Sequence, residues 1–105
     1  MEYQQGRQGT GYLKKKLLEW KFFDLYILKY PEGSQIPPHK DPVPGKRHYR
    51  VNLELKKAVL GGKFKAQSTI LNFGRLAIFR SDISEHEVTK ILAGERIVLS
   101  FGLAL

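Results

Sequence analysis

Four residues have the types and the order that metal chemistry requires. His39 and Asp41 are separated by one residue, and His86 follows much further along the chain. Two imidazoles and one carboxylate can hold one face of Fe(II) and leave the other face open for oxygen chemistry. Arg96, a cation, follows His86 by ten positions. This set predicts an iron enzyme; if the three residues hold no metal, the chain is a small basic β-domain.

The spacing of His39 and Asp41 suits a β-strand, because residues i and i+2 point to the same face, about 6–7 Å apart along the chain. His-x-Asp by itself is a weak signal, since an exposed surface pair is the commoner explanation. A third ligand must come from elsewhere, and His48 and His86 are the two other histidines. We favour His86, because it follows a polar loop and would begin a new strand at the mouth of a barrel.

Arg96 makes the metal hypothesis more specific. The turn signal Ala93-Gly94 predicts a hairpin that returns the last strand beside His86 and directs Arg96 into the barrel. A buried arginine is costly unless it is paired. A bidentate anion, such as the far carboxylate of a diacid, would pair with it. The alternative is an ion pair with Glu95, Glu85 or another carboxylate at the surface.

The elements that must position these residues are mostly strands. One exception is the segment 12–20, where Leu13, Leu17 and Trp20 recur at helical spacing and predict a short helix. Beyond it, aromatic and branched residues alternate with turn signals about every 8–12 residues. The predicted strands are 22–30, 35–41, 47–57, 63–66, 69–73, 75–80, 85–92 and 95–103. We therefore predict an all-β sandwich, jelly roll or barrel of about eight strands with one short N-terminal helix.

Composition limits the class of protein. The 105 residues fit a single domain, with a loose N-terminal tail and the short helix over 1–21 and the barrel over 22–103. The chain has no cysteine, which excludes disulfides and thiolate metal sites and fits a cytoplasmic location. Its apolar runs are too short to span a membrane, so we expect no membrane partner. A net charge of +8 favours anionic partners, nucleic acid among them.

Several short motifs occur in a characteristic order. His39, Asp41, His86 and Arg96 form a His-x-Asp, distal-His and basic-residue series. The accompanying pieces are Tyr30-Pro31-Glu32-Gly33, Gly61-Gly62-Lys63-Phe64, Gly74-Arg75-Leu76-Ala77-Ile78-Phe79 and Gly94-Glu95-Arg96. Over about residues 22–103, this set resembles the Fe(II)/2-oxoglutarate-dependent dioxygenases, closest to their prolyl-4-hydroxylase-like branch.

This resemblance implies a double-stranded β-helix, that is, a jelly-roll or cupin-like barrel. It implies that His39, Asp41 and His86 bind Fe(II). It also implies that Arg96 grips the far carboxylate of the cosubstrate 2-oxoglutarate, with a hydrogen bond from the Tyr30 hydroxyl nearby. Such an enzyme uses molecular oxygen, releases succinate and CO2, and hydroxylates a C–H bond. The substrate would be a protein side chain, with nucleic acid as the alternative.

Three further residues are candidate pocket or substrate contacts. Arg50 and Asn52 lie on the polar face of a predicted strand, and Arg47 lies near its start, although each could be a surface position. The chain is short for the family it resembles, so a homodimer partner could complete the site. Two other functions stay open. One is a non-catalytic basic β-barrel binding module with a vestigial or structural metal site, and the other is a cupin-type metal protein.

Overall fold

The computed structural model describes residues 3–5 and 11–105. Within them the chain forms twelve strands and no helix, so nothing in these ranges could cross a membrane as a helix. The strands are β1 (Gln4–Gln5), β2 (Leu13–Glu19), β3 (Phe23–Tyr30), β4 (Ile36–His39), β5 (His48–Lys56), β6 (Leu60–Gly61), β7 (Phe64–Ala66), β8 (Leu71–Phe73), β9 (Leu76–Arg80), β10 (His86–Val88), β11 (Ile91–Ala93) and β12 (Arg96–Ala104). The all-β prediction is confirmed.

The strands form three antiparallel sheets. The large sheet has the order β1-β2-β3-β12-β5-β9-β8, a second sheet has the order β4-β10-β7, and β11 pairs with β6. A buried apolar cluster joins all three sheets: Tyr30, Ile36, Val88, Ile91 and Val98. The sheets therefore enclose one interior, and that interior holds the candidate site.

The predicted N-terminal helix is wrong, because its residues form strand β2. β2 pairs with β3 along its length, with an irregularity between Lys16 and Leu18. A helix of so few residues is marginal on its own, whereas the edge of β3 offers a row of unpaired backbone groups. Tertiary pairing therefore overrides the helical spacing. Lys14, which the helix would have turned to solvent, lines the interior instead.

The strands predicted from residue 22 onward are found at similar positions, but one of them is divided in two and β6 (Leu60–Gly61) was not predicted. The segment predicted at 85–92 is split into β10 and β11, which pair with different sheets. The predicted tail over 1–10 is described only at residues 3–5, where β1 pairs with β2; the rest of it lies outside the described residues.

Candidate metal centre

The structure brings His39, Asp41 and His86 together. Their ligand atoms all lie within 4.8 Å of one another. His39 ends β4, and Asp41 follows two residues later. His86 begins β10, which pairs antiparallel with β4 and places His86 opposite His39. Strand pairing therefore carries the distant third residue to the first two.

Hydrogen bonds determine which nitrogen of each imidazole faces Asp41. Nδ1 lies 2.9 Å from the Pro37 carbonyl oxygen in His39 and 2.8 Å from the Ser84 carbonyl oxygen in His86. A carbonyl oxygen only accepts, so each Nδ1 carries the proton that it donates there, and Nε2 is the nitrogen that faces Asp41. The Nε2 atoms lie 3.5 Å (His39) and 3.2 Å (His86) from the Asp41 carboxylate oxygens. A metal ion between the two rings and the carboxylate would take the place of the Nε2 protons.

The Asp41 carboxyl is held in the ionised form that a metal ion needs. Burial by itself raises its pKa, but hydrogen bonds from His39 and His86, and the charges of those rings, outweigh burial and hold the pKa well below its ordinary value. The Asp41 backbone N–H donates to the Ser81 carbonyl oxygen at 2.7 Å, which anchors the segment after β4. Anchored imidazoles around an ionised carboxylate are the arrangement that metal-binding residues use.

Aromatic rings close one side of the triad. The His86 ring packs against Phe79, with ring centroids 4.8 Å apart, and faces Phe64 at 6.3 Å. Phe79 is almost fully buried. A wall of this kind excludes water and leaves the cavity side as the open approach to a metal held by the triad.

The triad opens onto a cavity of about 280 Å³ that also holds polar side chains of the large sheet. Arg50 donates from Nη1 to Asp24 Oδ1 at 2.7 Å and to the Ser100 hydroxyl at 3.2 Å. The Ser100 hydroxyl in turn donates to Asn52 Oδ1 at 2.6 Å. The wall facing the triad is therefore a connected polar strip that contains a cation.

The two predicted pocket residues on β5, Arg50 and Asn52, thus share a cavity with the triad. Arg47, the third, is exposed, and its backbone pairs with Leu105 rather than with the residues that line the cavity. His48, the competing third ligand, also lines the cavity but is not part of the triad. Its Nδ1 is hydrogen-bonded to the Ser81 hydroxyl, and burial, aided by the Arg50 charge, lowers its pKa.

A glycine makes room for the Arg50–Asp24 ion pair. A Cβ atom at Gly102 would lie 2.5 Å from Arg50 Nη2 and 2.8 Å from Asp24 Oδ1. We expect Gly102→Ala to displace this pair and to lower the free energy of unfolding by about 1–3 kcal/mol, measured by urea denaturation. The loss of unfolding free energy caused by Gly102→Ala should be smaller in an Arg50→Ala background, because the clashing guanidinium is then absent. An equal cost in both backgrounds would contradict this explanation.

Arg96 is buried, but its ion-pair partner is part of the chain itself. Its Nε donates to Glu54 Oε2 at 2.7 Å, and the Arg96 and Glu54 side chains are only 4% and 15% exposed. The two residues line a different cavity, of about 460 Å³, which shares Asn52 and Phe64 with the cavity of the triad. The larger cavity is therefore not the one that contains the triad.

Tyr30 connects the two regions. It lines the cavity of the triad, and the Arg96 guanidinium lies 5.0 Å from the centre of its ring. Burial raises the pKa of Tyr30 to about 12, so its hydroxyl keeps its proton at neutral pH. A neutral hydroxyl at this position remains able to donate a hydrogen bond.

Two polar partners escaped the sequence analysis, although each had a signal. Glu54 shares the alternating polar face of β5 with Arg50 and Asn52, and Asp24 is the one acidic residue in the apolar run of β3. A buried charge on an inward face needs a partner. That rule calls for an acidic partner for a buried arginine, and Asp24 and Glu54 were available to meet it, although the alternation does not say which acid pairs with which arginine.

No protein-family model and no curated protein matches the sequence. Solved structures do resemble the chain. KdgF from Halomonas sp. has a TM-score of 0.67 at 12% identity, over 98% of this chain and 86% of its own. The Schizosaccharomyces pombe Cnp3 cupin domain has a TM-score of 0.70 at 11% identity, over 98% and 68%. The chain has a cupin-like β fold.

A prolyl-4-hydroxylase from Pseudomonas putida has the same fold. Its TM-score is 0.62 at 22% identity, and the match covers 77% of this chain and 50% of the hydroxylase. At identities this low, the structural similarity establishes the fold, and the function has to be argued from the residues of the site. The fold alone hosts several kinds of protein, so the side chains of the cavity must decide the activity.

Proposed function

We propose that the chain is an Fe(II)/2-oxoglutarate-dependent dioxygenase that hydroxylates a C–H bond. We favour a protein side chain as its substrate over nucleic acid. The observation that carries this proposal is the orientation of the triad. Two imidazoles, each anchored through Nδ1–H on a backbone carbonyl, present Nε2 to one ionised carboxylate beside a cavity. Two imidazole nitrogens and one carboxylate oxygen are the donors that non-haem Fe(II) oxygenases use.

The residues present fit the iron that the proposal requires. His39, Asp41 and His86 would hold it, and the cavity side would stay free for small ligands. Bound iron would supply the activation of oxygen that is coupled to conversion of 2-oxoglutarate to succinate and CO2. The Pro37 and Ser84 carbonyls keep the two rings in the ligating tautomer.

The polar strip would orient what enters the cavity. Arg50 is a cation that lines the same cavity as the triad, and its guanidinium is shared among Asp24, Ser100 and His48. Arg96 would bind the far carboxylate of 2-oxoglutarate, as the sequence resemblance implies. For that, the cosubstrate must compete with Glu54 for the guanidinium.

The Arg96–Glu54 pair also favours a second candidate function. If Glu54 stays on Arg96, the chain binds a metal without 2-oxoglutarate, as a binding module of cupin-like fold with a structural metal site. Cupin-fold neighbours at low identity are compatible with this alternative. The two candidates differ in one measurable product, succinate.

Succinate release tests the proposal. We expect the purified chain to form succinate from 2-oxoglutarate only with Fe(II) and oxygen, and in excess over enzyme when a substrate is added. A peptide pool and single-stranded oligonucleotides are the two substrate arms, since a net charge of +8 suits an anionic strand. Tight metal binding with no succinate in any arm would reject the dioxygenase and favour the metal-binding module.

A further inference from the structure

The larger cavity has an excess of positive charge. Among the described residues it is lined by four cations and one acid: Lys57, Lys63, Arg75, Arg96 and Glu54. Glu54 is already paired with Arg96 at 2.7 Å. In the part of the chain that the structure describes, none of the other three cations is in an ion pair. An anion that entered this cavity would therefore meet three cations that have no carboxylate partner of their own there.

Three of these cations lie at the mouth of the cavity. Lys57, Lys63 and Arg75 line it and are nevertheless exposed, whereas Arg96 is buried. We call Lys57, Lys63 and Arg75 the cationic mouth. Arg75 is held in place there, because its Nη1 donates to the Leu55 carbonyl oxygen at 3.2 Å. A guanidinium has five N–H donors, so Arg75 has further N–H groups to offer an anion.

The segment 57–63, which carries the two lysines of the cationic mouth, is fixed to its neighbour by hydrogen bonds. Its strand β6 pairs with β11. The Val59 N–H donates to the Ala93 carbonyl oxygen at 2.9 Å, and the Lys63 N–H donates to Thr89 Oγ1 at 2.8 Å. The backbone that carries the lysines is therefore ordered before any ligand binds, which lowers the entropy that binding would cost.

Apolar side chains form much of the remaining wall of the cavity: Ala58, Val59, Leu60, Phe64, Leu76 and Ala77. Val59 and Leu60 are 82% and 59% exposed and lie in the same short segment as the two lysines. Burial of such surface against a ligand is favourable. The volume of about 460 Å³ lies within the range of small-molecule pockets, about 300–1,000 Å³. Charge, apolar wall and volume together suit a small molecule that has an apolar body and an acidic group.

We propose that the larger cavity binds a small organic anion, with its acidic group at the cationic mouth and its apolar body against the wall. The acidic group would accept charge-assisted hydrogen bonds from Lys57, Lys63 and Arg75. The site does not rest on the proposed enzymatic function, because the triad lines the other cavity and Arg96 keeps Glu54 as its partner. 2-Oxoglutarate has no apolar body, so it is not the ligand that this combination selects.

Binding of anilinonaphthalene sulfonate, an aromatic anion whose fluorescence rises in apolar surroundings, tests the proposal. We expect saturable binding to the unaltered chain with a chelator present, so that the result does not depend on iron. The triple variant Lys57→Gln/Lys63→Gln/Arg75→Gln should raise the dissociation constant more than about tenfold, because it removes the charged donors of the mouth. All three side chains are exposed, so the fold should be unchanged, and circular dichroism checks this.

A second triple variant is the matched control. Lys21→Gln/Arg47→Gln/Lys65→Gln removes the same charge from exposed positions that do not line the larger cavity. Its dissociation constant should stay within about twofold of the unaltered chain at physiological salt, where distant surface charges are screened. An equal weakening in both triple variants would overturn the proposal, because the probe would then respond to net charge alone. So would an unaltered chain that binds the probe without saturation.

Two competitors test the apolar wall. Decanoate and acetate have the same acidic group and differ in the length of the apolar chain. Decanoate should displace the probe at less than about one tenth of the concentration that acetate needs, because its chain is buried against the wall. Equal potency of the two acids, or displacement by 2-oxoglutarate at the concentration that decanoate needs, would overturn the proposal.

Discussion

His39→Ala and Asp41→Ala are each expected to lower metal affinity by more than about 100-fold, beyond the loss that outer-shell changes cause. Each substitution removes one of three ligand atoms that lie within 4.8 Å of one another, and a site of two ligands no longer encloses a cation. Fe(II) affinity measured by anaerobic titration, with Mn(II) as a redox-inert second probe, checks the expectation. Any 2-oxoglutarate turnover should be lost in parallel.

His48→Ala is the matched control for these two variants. His48 lines the same cavity and is similarly polar, but its ring is hydrogen-bonded to Ser81 and it is not part of the triad. We expect its metal affinity to stay within about a few-fold of the unaltered chain. Equal affinity in the control and in both triad variants would show that the triad is not a metal site.

Glu54→Gln is expected to increase the affinity for 2-oxoglutarate by about tenfold or more. The substitution keeps the size of the side chain but removes the carboxylate that occupies the Arg96 guanidinium. A buried cation without a charged partner gains more from an incoming carboxylate. Arg96→Lys should act in the opposite direction, because an ammonium cannot make the bidentate contact. Isothermal titration of the metal-loaded protein measures both.

The stability of Glu54→Gln provides a second readout. Breaking a buried ion pair by removing one partner costs about 3–5 kcal/mol of unfolding free energy. If the cosubstrate takes the place of Glu54, saturating 2-oxoglutarate should recover part of this loss and raise the Tm of Glu54→Gln more than that of the unaltered chain. Glu95→Gln is the control, since its surface pairs with Lys29 and Lys56 contribute less than about 1 kcal/mol.

An unchanged 2-oxoglutarate affinity in both Glu54→Gln and Arg96→Lys would remove Arg96 from the cosubstrate site. Arg50 and Lys14 would then be the cations that line the cavity of the triad, and Arg50 is the one that can bind a carboxylate through two N–H groups. Whether Arg96 or Arg50 serves this purpose depends on which of the two internal carboxylates yields its arginine. Each arginine is paired to one acid of the same sheet, Arg96 to Glu54 on the neighbouring strand and Arg50 to Asp24 two strands away.

The strands from residue 22 onward were readable from the sequence because their signals are local. Alternation on β5, the aromatic run of β3 and the glycine-containing turns each involve residues close along the chain. The segment at 12–20 was misread, since its spacing fits a helix and its pairing with β3 is a tertiary contact. Local pattern and tertiary pairing disagreed there, and pairing decided the structure.

The feature hardest to predict from the sequence was which face of the large sheet lies inside. Alternation on β5 separates Arg50 and Asn52 from Val51 and Leu53, but it does not tell which face is inside. The common rule buries the apolar face, but the structure places the polar residues of β5 in the interior, beside buried apolar residues such as Phe79 and Val98. The reason becomes visible only with the opposing sheet, because its His39 and His86 line the same cavity as these polar residues.

The sequence by itself therefore determined the all-β class, most strand positions and the identity of a compact set of candidate ligands, since residue type and short spacing carry that information. The sequence also favoured His86 over His48 as the third residue of that set. Tertiary structure alone decided that Arg96 pairs with Glu54 and that Arg50 pairs with Asp24. These are contacts between residues far apart in the chain. They are created when strands from different parts of the chain pair, and no local pattern encodes which strands will be neighbours.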